Sequence, residues 1–413
     1  MLNSKNEREL CYLVYVDDVS AMDADRLECA HVGGWNCVVG KGEFKRGDIA
    51  VYFEIDSKVP EVEPFVSMEF LASKHFKIKS QKIRGVVSQG LLMPISAFGW
   101  EERKDVFGDS YIWDESLLKV LTLNDDSRFL TQRLGVTYAV VEDNARKSSG
   151  ADKYKKMAQR HPKLARKKWW RWMMKRNWGK KLLFAFFGKK RDKKSEWPAW
   201  VVKTDEERVQ NMPFLFPNNL DEWVVTEKID GSSFTATMRK SGRKREFHVC
   251  SRNVVFDNPD KPCFYDTNIY VEMAEKYRIK EKLTQMLEME NGRDVVFVTL
   301  QGEVYGAGVQ KRDYGLTGHD LRIFNVIFGY KDGTTQRLNP IDGKQYMQEF
   351  GIPFVPIVAR SYFLPTSCED LLTFADGKSL IDGGMREGLV FRSLDGVKSF
   401  KAVSNKYLLK YHG

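Results

Sequence analysis

The first candidate for chemistry is Lys228, in the sequence Glu227-Lys-Ile-Asp-Gly231. The run 221–226 before it is rich in β-branched and aromatic residues and predicts a strand, and Asp230 and Gly231 predict the turn that follows. An amine held at a strand end can act as a nucleophile on phosphorus. Lys-x-Asp-Gly alone is a weak signal, and an acidic surface turn is the alternative interpretation.

Further polar groups also lie beside glycines at predicted strand ends: Glu303 after Gly302, Glu387 before Gly388, and Lys398 and Lys401 after Gly396. A lysine, two carboxylates and further cations suit nucleotidyl transfer, in which Lys228 attacks the α-phosphate of a nucleotide and pyrophosphate leaves. That step needs a neutral Lys228, so we expect Lys401 and partial burial to lower its pKa. Glu303 and Glu387 are predicted to hold Mg²⁺ or Mn²⁺, or to contact ribose hydroxyls.

The N-terminal part, to about residue 135, predicts short strands separated by Gly, Asp and Pro, at 11–16, 35–39, 48–55 and 76–79. This pattern favours a small OB-type barrel. The stretch 81–92 then places Lys82 and Arg84 beside a glycine. We interpret this edge as one that holds a phosphate backbone, and a purely structural barrel with two solvated cations is the alternative.

The positive charge belongs to one segment. Residues 146–194 contain twenty Lys or Arg and two acids, a net charge of +18, whereas the whole chain carries +10 and the remainder therefore −8. Its middle, 167–178, mixes tryptophans with cations. Nucleic acid is the first predicted partner, an anionic membrane surface the second, and a helix that docks one domain on the other is the third interpretation.

The C-terminal part predicts strands mixed with helices, an α+β domain. Thr204 is a plausible N-cap and predicts a helix start over 203–210, and a second helix is predicted over 269–290. Strands are predicted at 295–300, 321–328, 389–391 and 399–403. We predict an OB-like domain at 1–140, a basic Trp-rich linker or insertion at 141–196, and a catalytic domain at 197–413.

The ordered motifs resemble those of covalent nucleotidyltransferases, most of all RNA ligases of the RNA ligase 2 type. The motifs are Lys228-Ile-Asp-Gly, Ser251-Arg-Asn, Gln301-Gly-Glu303, Ile323-Phe-Asn-Val, Glu387-Gly-Leu-Val-Phe-Arg392 and Ser399-Phe-Lys401. The stretches 47–57 and 82–91 resemble the family 5 subgroup, which carries an OB-like domain first. The resemblance implies an adenylyltransferase domain of antiparallel sheets with helices.

The resemblance also implies roles. Lys228 would be the adenylated nucleophile, Phe324 would stack on adenine, and Lys401, with Lys398, would hold the α-phosphate. Arg252 would contact the ribose or the nick phosphate, and Glu303 and Glu387 would serve ribose recognition and metal-assisted chemistry. Related ligases often end in Lys-x-Lys, whereas Ser399 stands first here, so Lys401 is the safer assignment. The remaining candidates are Glu227, Asp230 and Gly231 for the nucleotide, and Lys82, Arg84, Lys203, Arg208, Arg252 and Asn253 for nucleic acid.

The implied activity is that of an ATP-dependent RNA ligase that joins 3′-hydroxyl and 5′-phosphate ends at nicks, using Mg²⁺ or Mn²⁺. The alternatives are a DNA ligase, a capping guanylyltransferase, or an inactive RNA-binding protein on this fold. Only 12 residues follow Lys401, too few for the OB domain that the first two enzymes carry there. The scattered cysteines predict reduced, buried thiols in a cytoplasmic or nuclear protein, and the run 182–187 is too short to span a membrane.

Overall fold

The computed structural model describes residues 1–139, 154, 157–158, 161–187 and 197–412, apart from positions 6, 107, 115–118, 217–219, 243, 257–264 and 266. Parts of the basic segment and Cys263 therefore lie outside the described residues. Of the other cysteines, four are buried and Cys368 is half-buried. In the described part of the chain, no helix combines the length and the apolar character needed to cross a bilayer.

The N-terminal region is a set of short antiparallel sheets, as predicted. Strands β1, β5 and β9 form one sheet, β2 to β4 a second and β10 to β12 a third, and β6 pairs with β13 and β7 with β8. Their bounds are β1 Cys11–Tyr15, β2 Asp18–Ala21, β3 Leu27–Val32, β4 Trp35–Gly40, β5 Ile49–Phe53, β6 Ser57–Lys58, β7 Gln81–Ile83, β8 Val86–Ser88, β9 Leu91–Pro94, β10 Glu101–Lys104, β11 Ser110–Asp114, β12 Lys119–Leu121 and β13 Thr137–Tyr138, with helix α1 at Glu69–Ala72. The predicted strand at 76–79 is wrong, because only Lys77 forms an isolated bridge there.

Strand β5 corresponds to the continuous apolar run in the predicted strand 48–55. All five of its residues are buried. Val51 and Phe53 enter one core, whereas Ala50 and Tyr52 enter a second core on the opposite face. A strand buried on both faces reads as a continuous apolar run, because side chains alternate between faces.

The basic segment contains three short helices, α2 (Pro162–Ala165), α3 (Lys168–Met174) and α4 (Asn177–Phe187). They pack around the buried side chains of Met157, Trp170 and Leu183. Of the tryptophans in 167–178, Trp170 is therefore part of a hydrophobic core, and the others are exposed.

The C-terminal region contains two five-stranded sheets, in the orders β14-β23-β22-β15-β21 and β17-β16-β18-β19-β20. All strand pairs are antiparallel except β14 with β23, which agrees with the predicted α+β class. The strands are β14 Glu207–Arg208, β15 Glu222–Lys228, β16 Ser232–Ser241, β17 Lys244–Cys250, β18 Val295–Gly306, β19 His319–Tyr330, β20 Thr335–Arg337, β21 Ile357–Phe363, β22 Gly388–Ser393 and β23 Ser399–Val403. The helices are α5 Ile269–Lys276, α6 Ile279–Met289, α7 Pro340–Glu349, α8 Cys368–Ala375 and α9 Asn405–Tyr407.

Three predictions in this region are wrong. Residues 203–210 are not an α-helix but an extended stretch that runs through β14 into a 3₁₀ turn at Val209–Asn211. The predicted helix 269–290 is two helices, broken where Arg278 adopts a left-handed conformation with φ of 51°. Strand β18 does not end at residue 300 but continues to Gly306. In the first case, tertiary ion pairs override a local N-cap signal.

Candidate active site

The two C-terminal sheets each turn a polar face toward a shared cleft. In the second sheet, Phe234 and Leu300 point into the core, so their neighbours Thr235 and Gln301 point to the other face. In the first sheet, β15 and β22 send Val225 and Phe391 into another core. The opposite face of that sheet carries Lys228, Arg392 and Lys401, one on each of the neighbouring strands β15, β22 and β23.

Lys228 and Glu387 meet at the end of this cleft. Strand β15 ends at Lys228, and its register partner is Gly388 on β22. Glu387 immediately precedes β22, so its side chain lies beside the lysine. The Lys228 Nζ donates a hydrogen bond to Glu387 Oε1 at 2.7 Å.

Glu303 approaches the same lysine from the other sheet. It lies within β18, paired with Ser233 on β16, and not at a strand end as predicted. Burial raises its pKa to about 8, against the attraction of Lys228. Burial thus favours the protonated form of Glu303, whereas a cationic Lys228 or a metal ion beside it favours the carboxylate.

The predicted lowering of the Lys228 pKa is wrong. Burial alone would lower the pKa of Lys228, but the carboxylates of Glu387 and Glu303 outweigh it and raise the pKa above its ordinary value. The lysine is therefore a cation until something else neutralises or displaces these carboxylates.

Lys401 lies on β23, one strand further across the first sheet, and is held by an acid that the sequence did not identify. Its Nζ donates to Asp205 Oδ1 at 3.0 Å. Burial, together with the nearby cation of Arg8, lowers the pKa of Lys401 to about 8, although Asp205 opposes the change. Lys401 is thus the cation in the cleft that can be discharged near physiological pH.

Residues 202–206, which we call the strap, run along the cleft and carry Asp205. Three cations contact this one carboxylate: Lys401, Arg252 at 3.0 Å, and Arg8 at 2.8 Å. Although burial raises it, Lys401 and Arg8 hold the pKa of Asp205 well below its usual range. The next residue, Glu206, accepts from Arg392 at 3.0 Å. These ion pairs need an extended backbone, which explains why the strap is not a helix.

Arg8 connects the N-terminal region to the cleft. Its guanidinium lies between Asp205 and Glu54, with its Nη1 3.1 Å from Glu54 Oε2. Residues of both regions also share a hydrophobic core, in which Val403 and Leu408 pack among residues such as Trp35. The sequence offered no local signal for Arg8, since its partners lie far away along the chain.

Asp230 is more than a turn former. It is buried and accepts a hydrogen bond from Tyr407 Oη at 2.8 Å, and its backbone N–H donates to Tyr314 Oη at 2.8 Å. His412 lies 3.6 Å away. Burial raises the pKa of Asp230, but its bonds from His412 and Tyr407 outweigh this and lower it. The last turn of the described chain therefore holds the Lys228 motif in place.

At two motif positions, Gly231 and Gly388, there is no room for a side chain. A Cβ on Gly231 would lie 2.3 Å from the carbonyl oxygen of Val304 and 2.8 Å from Glu303 Cγ. A Cβ on Gly388 would lie 2.3 Å from the carbonyl oxygen of Ala402. The neighbouring strands approach so closely that no side chain fits, which is why glycines accompany these functional positions.

We expect Gly231→Ala to reduce nucleotide transfer by about 10²-fold, because the strand that carries Glu303 must move by a substantial fraction of an ångström. The measurement is the rate of covalent labelling of the protein by α-labelled ATP. Gly318→Ala is the matched control, since a Cβ there meets nothing within 4 Å. Equal losses in both variants, or none in Gly231→Ala, would contradict this account of the glycine.

Three other residues predicted to contact the nucleotide make contacts with partners other than the Lys228 side chain. Glu227 faces the core side of its strand, where its Oε2 accepts from the Leu380 N–H at 2.7 Å and burial raises its pKa. Phe324 is half-buried at the bulge of β19, and its carbonyl accepts from Arg392 Nη1 at 2.9 Å. Lys398 is exposed and pairs with Asp221 at 2.7 Å. The structure does not bring Lys398 to Lys228.

The predicted nucleic-acid contacts fall into two groups. Lys82 and Arg84 are exposed on the β7–β8 hairpin. Lys203 and Asn253 are exposed beside the cleft, where the Lys203 Nζ donates to Asn253 Oδ1 at 3.0 Å. Arg208, by contrast, is buried and contacts Asp56 at 3.3 Å.

A cavity of about 920 Å³ lies beside the strap and is lined by residues that include Trp200, Thr299, Gln301 and Asn325. Its volume suits a nucleotide-sized ligand. However, Lys228, Glu303, Glu387 and Lys401 are not among its lining residues. Charged groups converge instead at Lys228 and the carboxylates, outside the lining of this cavity, and this convergence makes them the candidate site.

The carboxylates fit a hard divalent cation. Glu387 Oε2 is buried and has no hydrogen-bond partner among the described residues, and Glu303 lies opposite it. No group of three or more His, Cys, Asp or Glu in the described chain could hold a metal without help. Mg²⁺ and similar ions are commonly held by one or two carboxylates together with substrate phosphates and water, which matches this arrangement.

Comparisons with known proteins show which families and folds this chain resembles. A family model described as RNA ligase matches residues 221–412, and one described as an OB-fold domain matches residues 13–95. The structure of Naegleria gruberi RNA ligase with pyrophosphate is 28% identical, with a TM-score of 0.68 over 98% of this chain and 99% of that chain. A search among curated proteins gave no match.

Two mutants of the Naegleria gruberi ligase are similar to the same extent. One, solved with ATP and Mn, has 28% identity and a TM-score of 0.67 over 98% of this chain and 100% of that chain. The other, solved with AMP and Mn, has 28% identity and a TM-score of 0.67 over 98% and 99%. The similarity covers both the N-terminal sheets and the cleft: residues 221–412 match the RNA ligase model, an OB-fold match precedes them, and the chain has the fold of an RNA ligase along nearly its whole length.

Proposed function

We propose that the chain is an ATP-dependent RNA ligase that seals a 3′-hydroxyl to a 5′-phosphate at nicks in duplexes through a lysyl-AMP intermediate. The observation that carries the proposal is the convergence of Lys228, Glu387, Glu303 and Lys401 in one cleft. The similar ligases solved with ATP and Mn, or with AMP and Mn, support ATP and a divalent cation as the cofactors.

The first step joins the Lys228 nitrogen to the α-phosphorus and breaks the bond between that phosphorus and the pyrophosphate oxygen. Lys228 must lose a proton, and Glu387 Oε1, already hydrogen-bonded to it at 2.7 Å, is placed to accept it. Lys401 supplies positive charge for the α-phosphate. A divalent cation held by Glu303 and Glu387 would offset charge on the phosphate oxygens when bound.

The second and third steps act on RNA. AMP passes from Lys228 to a 5′-phosphate, and the 3′-hydroxyl then attacks that phosphate and releases AMP. Arg252, Lys203 and Asn253 are exposed beside the cleft, which supports a role for them in holding the nick. Exposed Lys82 and Arg84 in the OB-fold domain support a second contact with the duplex.

The test is incubation of the protein with α-labelled ATP and Mg²⁺ or Mn²⁺, followed by sealing of nicks built with RNA or DNA at each terminus. We expect an acid-labile label on the protein and a requirement for RNA at one terminus at least, because a 2′-hydroxyl is what distinguishes the substrates. Labelling by GTP in place of ATP would point to a capping-type enzyme. RNA binding without any label would show an inactive member of the fold.

Domain limits and cellular location remain predictions. The division at 1–140, 141–196 and 197–413 has its first two boundaries at or beside residues that the structure does not describe. An intracellular location, cytoplasmic or nuclear, is supported by the free thiols of Cys11, Cys29, Cys37 and Cys368, as in reducing compartments.

A further inference from the structure

The helices of the basic segment expose an apolar surface that the ligase chemistry does not use. Trp178, Leu182 and Phe186 follow one another at four-residue spacing along α4 and are 56%, 48% and 76% exposed. Trp172 on α3 extends the row, 5.9 Å from Trp178 between ring centroids, and is 51% exposed. We call these four residues the apolar ridge.

Helix α4 is apolar on two faces, and this needs an explanation. Its inner face packs Leu183 with Trp170 and Met157 in a small core, with Phe184 and Phe187 against it. A core of this kind buries the apolar stripe of an amphipathic helix, and the outer face of such a helix is normally polar. The ridge on the outer face is instead a contiguous exposed apolar patch, a feature that marks interaction sites.

The charge around the ridge restricts its partner to an anionic one. Residues 161–187 contain nine Lys or Arg and no Asp or Glu. Arg171, Lys175 and Lys181 are exposed near the ridge. A second copy of this chain would bring two positive surfaces together, so like-charge repulsion opposes a dimer through this face.

The rings favour lipid over RNA bases. Stacking on a base needs an open ring face, but the Arg176 guanidinium covers one face of Trp172 at 3.8 Å, and Trp172 meets Trp178 edge to face. Leu182 and Phe186 then continue the ridge with purely apolar groups, one of them aliphatic. Tryptophan, leucine and phenylalanine on one side with Lys and Arg around them is the composition of helices that lie in the interface of anionic bilayers.

We propose that the apolar ridge and its surrounding cations form a site that binds an anionic membrane surface. The ridge enters the boundary between headgroups and acyl chains, and the cations contact the acidic headgroups. The ligase domain is thereby attached to a membrane, without any residue of the cleft taking part. This proposal does not depend on the ligase activity.

The test is flotation of the full-length protein with phosphatidylcholine vesicles that contain about one third phosphatidylglycerol, compared with vesicles of phosphatidylcholine alone. We expect binding to the anionic vesicles only, weakened as salt increases. The variant Trp178→Ser with Leu182→Ser and Phe186→Ser should bind about tenfold or more weakly, because three inserted side chains are lost.

A matched control replaces three other exposed apolar residues, Val62→Ser with Val66→Ser and Phe70→Ser in the N-terminal region, and should bind vesicles like the unchanged protein. Covalent labelling by ATP and the thermal melting temperature show that both variants are folded. Equal flotation of the ridge variant and the unchanged protein would overturn the proposal. Failure of the unchanged protein to float with anionic vesicles would also overturn the proposal. If, in that case, the ridge variant had lost affinity for a nicked RNA duplex, the ridge would be an RNA-binding surface instead.

Discussion

Lys228→Ala is expected to abolish covalent labelling by ATP, with a loss of about 10⁴-fold or more, because no other group can replace the nucleophilic nitrogen. Lys228→Arg should fail equally, since a guanidinium stays protonated. The measurement is the amount of labelled protein after incubation with α-labelled ATP and Mn²⁺. Sealing of an ordinary nick should be lost in parallel.

The same variant offers a sharper check on the reaction order. A nick that already carries AMP on its 5′-phosphate no longer needs Lys228 for the first step, so Lys228→Ala should seal it far better than an ordinary nick. Lys331→Ala is the control, because Lys331 is an exposed lysine that pairs with Asp294 on the surface and should label normally. Undiminished labelling of Lys228→Ala would refute the mechanism.

The second large effect concerns Lys401. Lys401→Ala should slow labelling by about 10²–10³-fold, because it removes the positive charge provided for the α-phosphate. The pKa of this residue, about 8, also predicts a pH dependence. Lys401 is charged below that pH and neutral above it, so affinity for an ATP analogue with a methylene between the α- and β-phosphorus should fall as pH rises through 8. The limiting slope is about tenfold per pH unit.

Two variants separate Lys401 from other titrating groups. Lys401→Arg should bind the analogue without the fall near pH 8, because arginine remains charged. Asp205→Asn should move the fall to lower pH, since Asp205 raises the pKa of Lys401 through their 3.0 Å contact. An unchanged profile in both variants would show that Lys401 is not the group that titrates.

The strand-borne part of the site could be predicted from the sequence. Lys228 follows a β-branched, aromatic run, Glu387 directly precedes an apolar strand, and Lys401 lies within another. Alternation along a strand decides which face a side chain occupies, and this information is local. The sequence also showed the glycines beside these residues. It did not show why glycine is needed there, which is the close approach of the Val304 and Ala402 carbonyl groups.

The strap shows where local reasoning failed. Thr204 followed by acids is a good helix start in isolation, yet Asp205 and Glu206 bond to Lys401 and Arg392, almost two hundred residues later. A few tertiary ion pairs outweigh the small preference of one N-cap. Arg8 was missed for the same reason, because its role depends only on partners distant in the sequence.

By itself, the sequence determined the α+β class, the N-terminal strands β1, β4 and β5 and the order of the motifs, because strand periodicity and short motifs are properties of neighbouring residues. Only the tertiary structure decided the charge of Lys228, the pKa of Lys401 and the isolation of Lys398 on the surface. These depend on burial and on distances between charges such as those of residues 228 and 387. Electrostatic energies follow separation in space, and no local pattern of residues records it.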